Sequence, residues 1–273
     1  MKNSISELKS IAAQIRGTII DMSYNARAAH LGSSLSCVDI LVAAYWTALN
    51  IDPGNSSDPE RDRFILSKGH AAAAFFATLA HRGFFPNELL ATFGKPGSFL
   101  EEHPTPGCAP GVEAATGSLG HGLSLALGMS LAGRIQRQPY RIISLLSDGE
   151  CNEGSVWEAA MFASSHCLDN VVAIVDFNKW QATGRSCEIM SLEPLADKWR
   201  TFGWSAYEID GHDMQALVDT LKNFPDGSGK PIAVIAHTVK GKGVSFMEDD
   251  NNWHYRIPTS EEVMQSKKEL GLL

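Results

Sequence analysis

Paired cysteines are missing from this sequence. Its five, Cys37, Cys108, Cys151, Cys167 and Cys187, are widely spaced, and none forms a C-x-x-C pair. A disulfide framework or a zinc cluster has a different spacing, so these read as reduced thiols of a cytoplasmic protein. A block of Lys or Arg is missing too. With 23 basic against 31 acidic residues and a formal charge of −8, the chain is a poor match for a phosphate backbone, and no nucleic-acid partner is expected. No apolar run is long enough for a membrane span, which takes about 18 residues; the most apolar stretch is Ala71–Ala80. The N-terminal segment carries Glu7 and Arg16 inside its apolar pattern, as an amphipathic helix does and a signal peptide does not. No membrane partner is expected either. Repeats and low-complexity tracts are also absent, which leaves an ordinary globular composition and excludes disordered, collagen-like and coiled-coil classes.

What is present is an alternation. Helical patterns cover Ile5–Ala26 and Cys37–Leu49, joined by a predicted loop over Ala28–Ser34. A short apolar run, Arg63–Leu66, leads through Ser67-Lys68-Gly69-His70 into an Ala-rich helix over Ala71–Arg82. From Gly94 to Gly120 the chain is rich in Gly and Pro and aperiodic, the pattern of a functional or a disordered loop. Beyond it, strand-like runs at Arg141–Leu146, Val171–Asp176, Ser205–Ile209 and Ile232–His237 are separated by helical patterns at Val156–Cys167, Pro194–Phe202 and Met214–Phe224. Such alternation predicts β-α-β units, hence an α/β fold with a central, mostly parallel sheet and helices on both faces. No linker divides the chain. One domain is expected over residues 1–257, followed by a tail, 258–273.

Chemistry concentrates in residues 142–184. One buried strand ends at Ser147-Asp148-Gly149 and the next at Asp176-Phe177-Asn178. In a β-α-β unit this sets Asp148 and Asn178 just past the C-terminal ends of parallel strands, the edge where open α/β sheets bind ligands. Gly149 lets a backbone approach a bound group, and the following helix start can face an anion. One carboxylate and one amide oxygen are too few for a Ca²⁺ cage. They suit a Mg²⁺-like ion completed by waters and phosphates. Singly, each residue is more often a turn residue; the pairing is what points to a diphosphate clamped by a divalent ion.

SDGECNEG followed by DFNKWQATG resembles the thiamine diphosphate-binding signature of transketolases. The usual signature begins Gly-Asp-Gly, and Ser147 replaces its first Gly. DRFILSKGHAAAAFF, GVEAATGSLGHGLSLALGMSLA and HTVKGKGVSFMEDDNNWHYRIP also resemble transketolase segments, in the same order and over almost the whole chain. The resemblance implies a thiamine diphosphate-binding fold with Mg²⁺ (Ca²⁺ or Mn²⁺ as substitutes) on Asp148, Asn178 and the backbone carbonyl of Trp180. It implies cofactor contacts at His70, Gly117, Ser118, Leu119, Gly149, Asn178 and His254, and sugar-facing catalytic histidines at His30, His103 and His254. Glu153 matches a glutamate near the subunit interface.

The histidines agree with that reading. His30, His70, His103, His121 and His254 fall in loops, where an imidazole can project into a cleft and move protons near neutrality. His81, His166, His212 and His237 read as packed or surface residues, and His121 stays open between the two. Lys240-Gly241-Lys242-Gly243 reads either as a phosphate cradle or as a solvated lid, and Glu248-Asp249-Asp250 as solvated surface.

Only 36 residues follow His237, too few for the second α/β domain that holds the cofactor's pyrimidine end in transketolases. The resemblance therefore implies the N-terminal subunit of a split transketolase, inactive alone. A separate C-terminal subunit would carry the pyrimidine-binding domain in an α2β2 heterotetramer that moves a two-carbon ketol unit between sugar phosphates. The rival readings are a deoxyxylulose-phosphate synthase-like or α-ketoacid dehydrogenase-like subunit, and a non-catalytic thiamine diphosphate-binding protein.

Overall fold

The computed structural model describes residues 3–273. Helix α1 (Ile5–Ala26) opens with a capping box: the Glu7 N–H donates to Ser4 Oγ at 3.2 Å, and the Ser4 N–H donates to the Glu7 carboxylate at 2.7 Å. There follow α2 (Leu31–Ser36), α3 (Val38–Ala43, running on as a π-turn to Ala48), β1 (Arg63–Leu66) and α4 (Ala72–Arg82). Next come α5 (Gly122–Gln136), β2 (Ile142–Ser147), α6 (Gly154–Ser165) and β3 (Val171–Phe177). The chain continues through α7 (Ser186–Ile189), α8 (Leu195–Thr201), β4 (Ser205–Asp210), α9 (Met214–Lys222), β5 (Ile232–His237) and α10 (Ser260–Glu269).

The strands form one sheet of order β1-β2-β3-β5-β4, parallel throughout. β2 and β3, in its middle, are buried at every position, which is why both read as unbroken apolar runs. Strand periodicity sends Ile143, Leu145, Val172 and Ile174 into a core shared with α1, α3, α4 and α9. Leu146, Val171, Ala173 and Val175 face the opposite way, toward α6, α8 and the buried Trp199 and Trp204. Two helical layers thus sandwich the sheet, and its strand tips all open on one edge.

Two segments differ from the sequence reading. The loop expected over Ala28–Ser34 ends early, because Leu31–Ser36 winds into α2 directly after a left-handed His30. Residues 258–273 contain a packed helix: α10 has its own capping box at Thr259 and Glu262, buries Val263 and Ser266, and sets Lys267 Nζ 2.8 Å from the Asp21 carboxylate on α1. Residues 94–120 are irregular, as their composition suggests, and carry His103 and Gly117 over the sheet edge. Among the described residues no helix is long and apolar enough to cross a membrane.

Candidate active site

The tips of β2 and β3 and the turn that follows β1 open on a cavity of about 410 Å³. His30, His70, His103 and His254 all line it, although they come from four separate loops. The His30 ring centroid lies 5.5 Å from His70, 6.2 Å from His103 and 5.0 Å from His254. His30 sits at φ +66°, a conformation that costs a side chain-bearing residue about 1–2 kcal/mol. Its N–H donates to the His254 carbonyl at 2.7 Å, which fixes one histidine loop against the other. Burial, and then the nearby cations, push the His30 imidazole down to about 4 and the His254 imidazole to about 3. Burial holds His70 low as well. These rings are therefore neutral near pH 7, each with one N–H to donate and one nitrogen to accept.

The opposite wall carries the oxygen donors. Gly149 and Asn178 line the cavity, while Asp148 is fully buried just behind Gly149. Asp148 Oδ1 accepts from the Gly149 N–H at 2.9 Å and Oδ2 from Ser186 Oγ at 2.7 Å. Among the described residues no cation pairs with it, and burial raises its carboxyl to about 6. Asn178 Oδ1 accepts from the Trp180 N–H at 3.1 Å. Ser147, the departure from the usual signature, turns its hydroxyl to the Glu150 N–H at 3.2 Å and caps the turn that follows β2.

Gly117 lines the cavity at φ +140°, with no room for a side chain: a Cβ there would lie 2.6 Å from His103 Cδ2. Leu119 lines it too, whereas Ser118 is exposed and faces a neighbouring cavity with His121 and Ser124. Glu153 is exposed at the rim. The other histidines hold structure. His212 bridges the Asp39 carboxylate and the Val239 N–H, His81 meets Thr18 at 2.9 Å, His237 lies 3.0 Å from Glu208, and His166 packs on Phe162.

Three residues around the candidate site, Lys68, Asp176 and Glu150, escaped the sequence reading, and a fourth, Lys240, was read differently. Lys68 and Asp176 form a fully buried pair at 2.5 Å beneath the cavity, and Ser36 and Thr238 also donate to Asp176. A lone Asp inside the apolar run VVAIVDF was the available signal. Glu150 is buried and accepts from Ser67 Oγ and from the Gly120 N–H at 2.8 Å, tying the β1 tip and the glycine-rich loop to the β2 turn. Lys240 is buried, its Nζ 2.6 Å from Asn251 Oδ1 and 3.1 Å from His254 Nδ1, and burial lowers its ammonium to about 8. The loop it heads is held in place, since the Gly241 N–H donates to the Gly32 carbonyl at 3.0 Å. Its reading as a solvated lid is replaced by a lysine buried behind His254.

Among the described residues no group of three or more His, Cys, Asp or Glu is placed to hold a metal. An Asp, an Asn and a backbone carbonyl fall outside such a group and form a hard, all-oxygen set suited to Mg²⁺. Asp148 keeps spare lone pairs on both oxygens. Around the cavity, Asn152 Oδ1 and Gln181 Nε2 are buried without a hydrogen-bond partner. Orphaned polar atoms of this kind call for a ligand.

Residues 7–273 match the family model described as "Transketolase, thiamine diphosphate binding domain". The chain belongs to the transketolase family. It is 41% identical over 256 residues to an apulose-4-phosphate transketolase subunit of Phocaeicola vulgatus, covering 94% of this chain and 91% of that one. It is 46% identical over 219 residues to the 6-deoxy-6-sulfo-D-fructose transketolase subunit SqwG of a Clostridium species, covering 80% of each. Transketolase from Campylobacter jejuni superposes with a TM-score of 0.90 at 28% identity, covering 98% of this chain and 43% of that one. The chain thus spans well under half of that solved transketolase but nearly the full length of the Phocaeicola subunit. These relatives favour transketolase over the synthase-like and dehydrogenase-like readings.

Proposed function

We propose that this chain is the diphosphate-binding subunit of a Mg²⁺- and thiamine diphosphate-dependent transketolase, completed by a separate subunit that carries the pyrimidine-binding domain. The matched relatives, named as transketolase subunits and about as long as this chain, support a separate second subunit, and the family resemblance makes α2β2 the expected assembly. One observation carries the assignment of the site: a buried, cation-free Asp148 and a cavity-lining Asn178 stand at neighbouring strand tips, facing four clustered histidines.

In this reading Asp148, Asn178 and the Trp180 carbonyl would hold the ion, and the backbone at Gly149 would take the diphosphate. The bound cofactor supplies the carbanion chemistry needed to cleave and re-form a carbon–carbon bond next to a carbonyl. His30, His103 and His254 orient the sugar by its hydroxyls and move protons between those oxygens during cleavage and addition, as imidazole rings facing the cavity can. The Lys68–Asp176 pair and Glu150 keep the strand tips in register beneath them. The related subunits are named for ketoses that carry a phosphate or a sulfo group, so an anionic ketose is the donor class and an aldose phosphate the acceptor.

The deciding experiment is purification of the tagged chain from its native cells, followed by intact mass spectrometry. A stoichiometric second chain, large enough for an α/β domain, is expected, together with ketol transfer by the pair when Mg²⁺ and thiamine diphosphate are present. Ketol transfer by this chain alone would overturn the account of the second subunit. A pair that binds the cofactor without transferring any ketol unit would favour the non-catalytic reading.

A further inference from the structure

The acidic stretch Glu248-Asp249-Asp250 reads as solvated surface, yet Asp249 is engaged three times over. Its Oδ1 accepts from Arg185 Nη1 at 2.7 Å and from Trp180 Nε1 at 2.8 Å, and its Oδ2 accepts from Arg185 Nη2 at 2.6 Å. The Arg185 guanidinium also lies over the Trp180 ring, 3.8 Å from its centroid. Asp249 holds φ +60°, and its N–H donates to the Lys240 carbonyl at 2.8 Å. Two residues on, Asn251 makes a second bridge: its Nδ2 donates to the Ala182 carbonyl at 3.1 Å while its Oδ1 accepts from Lys240. A strap, residues 239–254, thus grips a separate loop, residues 179–186, at two points.

The grip falls on the neck of that loop. Trp180 and Arg185 face each other in an isolated antiparallel bridge, and the Ser186 N–H closes the neck on the Lys179 carbonyl at 3.0 Å. Just outside the neck lie the two side-chain oxygen donors. Asn178 Oδ1 is held by the Trp180 N–H on one side, and Asp148 Oδ2 is held by Ser186 Oγ on the other. The strands set where Asp148 and Asn178 leave the sheet, and the neck sets how their side-chain oxygens are held relative to each other.

We infer that Asp249, through Arg185 and Trp180, is a positioning residue that clasps the 179–186 loop to the strap and thereby fixes how the side-chain oxygens of Asp148 and Asn178 are held relative to each other. The clasp is a property of the chain itself. Its consequence for metal and cofactor retention rests on the proposed function. Each contact is partly exposed and weak singly, so the expected effects are about five- to tenfold.

The test is hydrogen exchange of the 179–186 amides in the full chain, alongside release of thiamine diphosphate in Mg²⁺. Asp249→Gly removes the carboxylate but suits a positive φ better than any other residue. Asp249→Asn keeps an acceptor for the indole and tolerates the same backbone, yet loses the ion pair. The substituted position is exposed, so both variants are expected to fold. Asp249→Gly should speed loop exchange about five- to tenfold and cofactor release to a similar degree, with Asp249→Asn between it and the wild type. A role confined to the turn predicts exchange in Asp249→Gly equal to or slower than wild type, and that result overturns the clasp. Should the wild-type chain bind no thiamine diphosphate, the failure falls on the proposed function, and the exchange measurement alone then decides the clasp.

Discussion

Asp148 and Asp176 stand side by side at the tips of adjacent parallel strands, joined through the Asp148 N–H and the Asp176 carbonyl at 3.3 Å. Both are fully buried, and their surroundings treat them in opposite ways. Burial alone would raise the Asp176 carboxyl, but the Lys68 ammonium 2.5 Å away and the hydroxyls of Ser36 and Thr238 bring it below the usual range. Burial raises Asp148 to about 6, because its partners are only a hydroxyl and one peptide N–H. A chain able to neutralise one carboxylate from within leaves its neighbour uncompensated. Asp176 belongs to the scaffold, and Asp148 is the one left free to take the cation that the proposed function assigns to it.

The largest effect should come from breaking the compensated member. Asp176→Asn strands the Lys68 ammonium in a fully buried site and should cost about 3–5 kcal/mol of unfolding free energy in a denaturant titration. A loss under about 1 kcal/mol would mean that the pair is dispensable and the contrast is lost. Asp148→Ala should behave in the reverse sense. Without ligand its stability should stay level or rise, since a buried, unpaired carboxylate is gone. Its affinity for thiamine diphosphate in Mg²⁺ should fall on the order of 100-fold or more by calorimetry. Wild type titrated with a chelator present should match the variant. Normal affinity in Asp148→Ala would remove the metal assignment.

The same contrast explains how much could be read from the sequence. Strand tips and their motifs were legible, because β2 and β3 are continuous apolar runs that end in recognisable polar residues, and Asp148, Gly149 and Asn178 lie at those ends. His30, His70, His103 and His254 could be picked out one by one, but their convergence on one cavity depends on loops folded over the sheet edge. What stayed hidden are partnerships across long stretches of chain. Lys68 meets Asp176 across 108 residues, and Asp249 meets Arg185 across 64. No local period marks such pairs, so a buried lysine and a clasped aspartate look like ordinary surface charge. Ser118 shows the converse: it shares a motif with Gly117 and Leu119, and an exposed side chain in that motif points elsewhere.

A second compensated carboxylate lies outside the cavity lining and sharpens the comparison. Asp39 is gripped by the Arg16 guanidinium at 2.7 and 3.1 Å and by His212 Nδ1 at 2.8 Å. Burial opposes its charge, but those partners bring its carboxyl down to about 2. A carboxylate depressed in the folded state contributes stability above its unfolded value, near 3.8, and that stability is lost as pH falls toward 2. The contribution at neutral pH is about 2 kcal/mol. Chemical unfolding between pH 5 and about 2 should show that loss in wild type and a flatter slope in Asp39→Asn. An unchanged slope would show that Asp39 is not a compensated group.

The smallest effect on binding is expected at the histidines, which separates ligand holding from proton movement. His30→Asn tolerates the left-handed backbone at residue 30 and removes the imidazole. Cofactor affinity should change by less than about threefold, since His30 supplies neither charge nor metal donor. On the proposed function, ketol transfer by the assembled enzyme should fall, because the proton path to the sugar oxygens would lose one of its rings. The pH response works in the same direction. An unfolded histidine takes its proton near 6.5, while folded His30 resists until about 4, so folding expels that proton. Wild-type stability should therefore decline as pH drops from 6.5 toward 4, and His30→Asn should lessen the decline. A variant with full turnover and an unaltered pH profile would place His30 in the wall of the site, outside its chemistry.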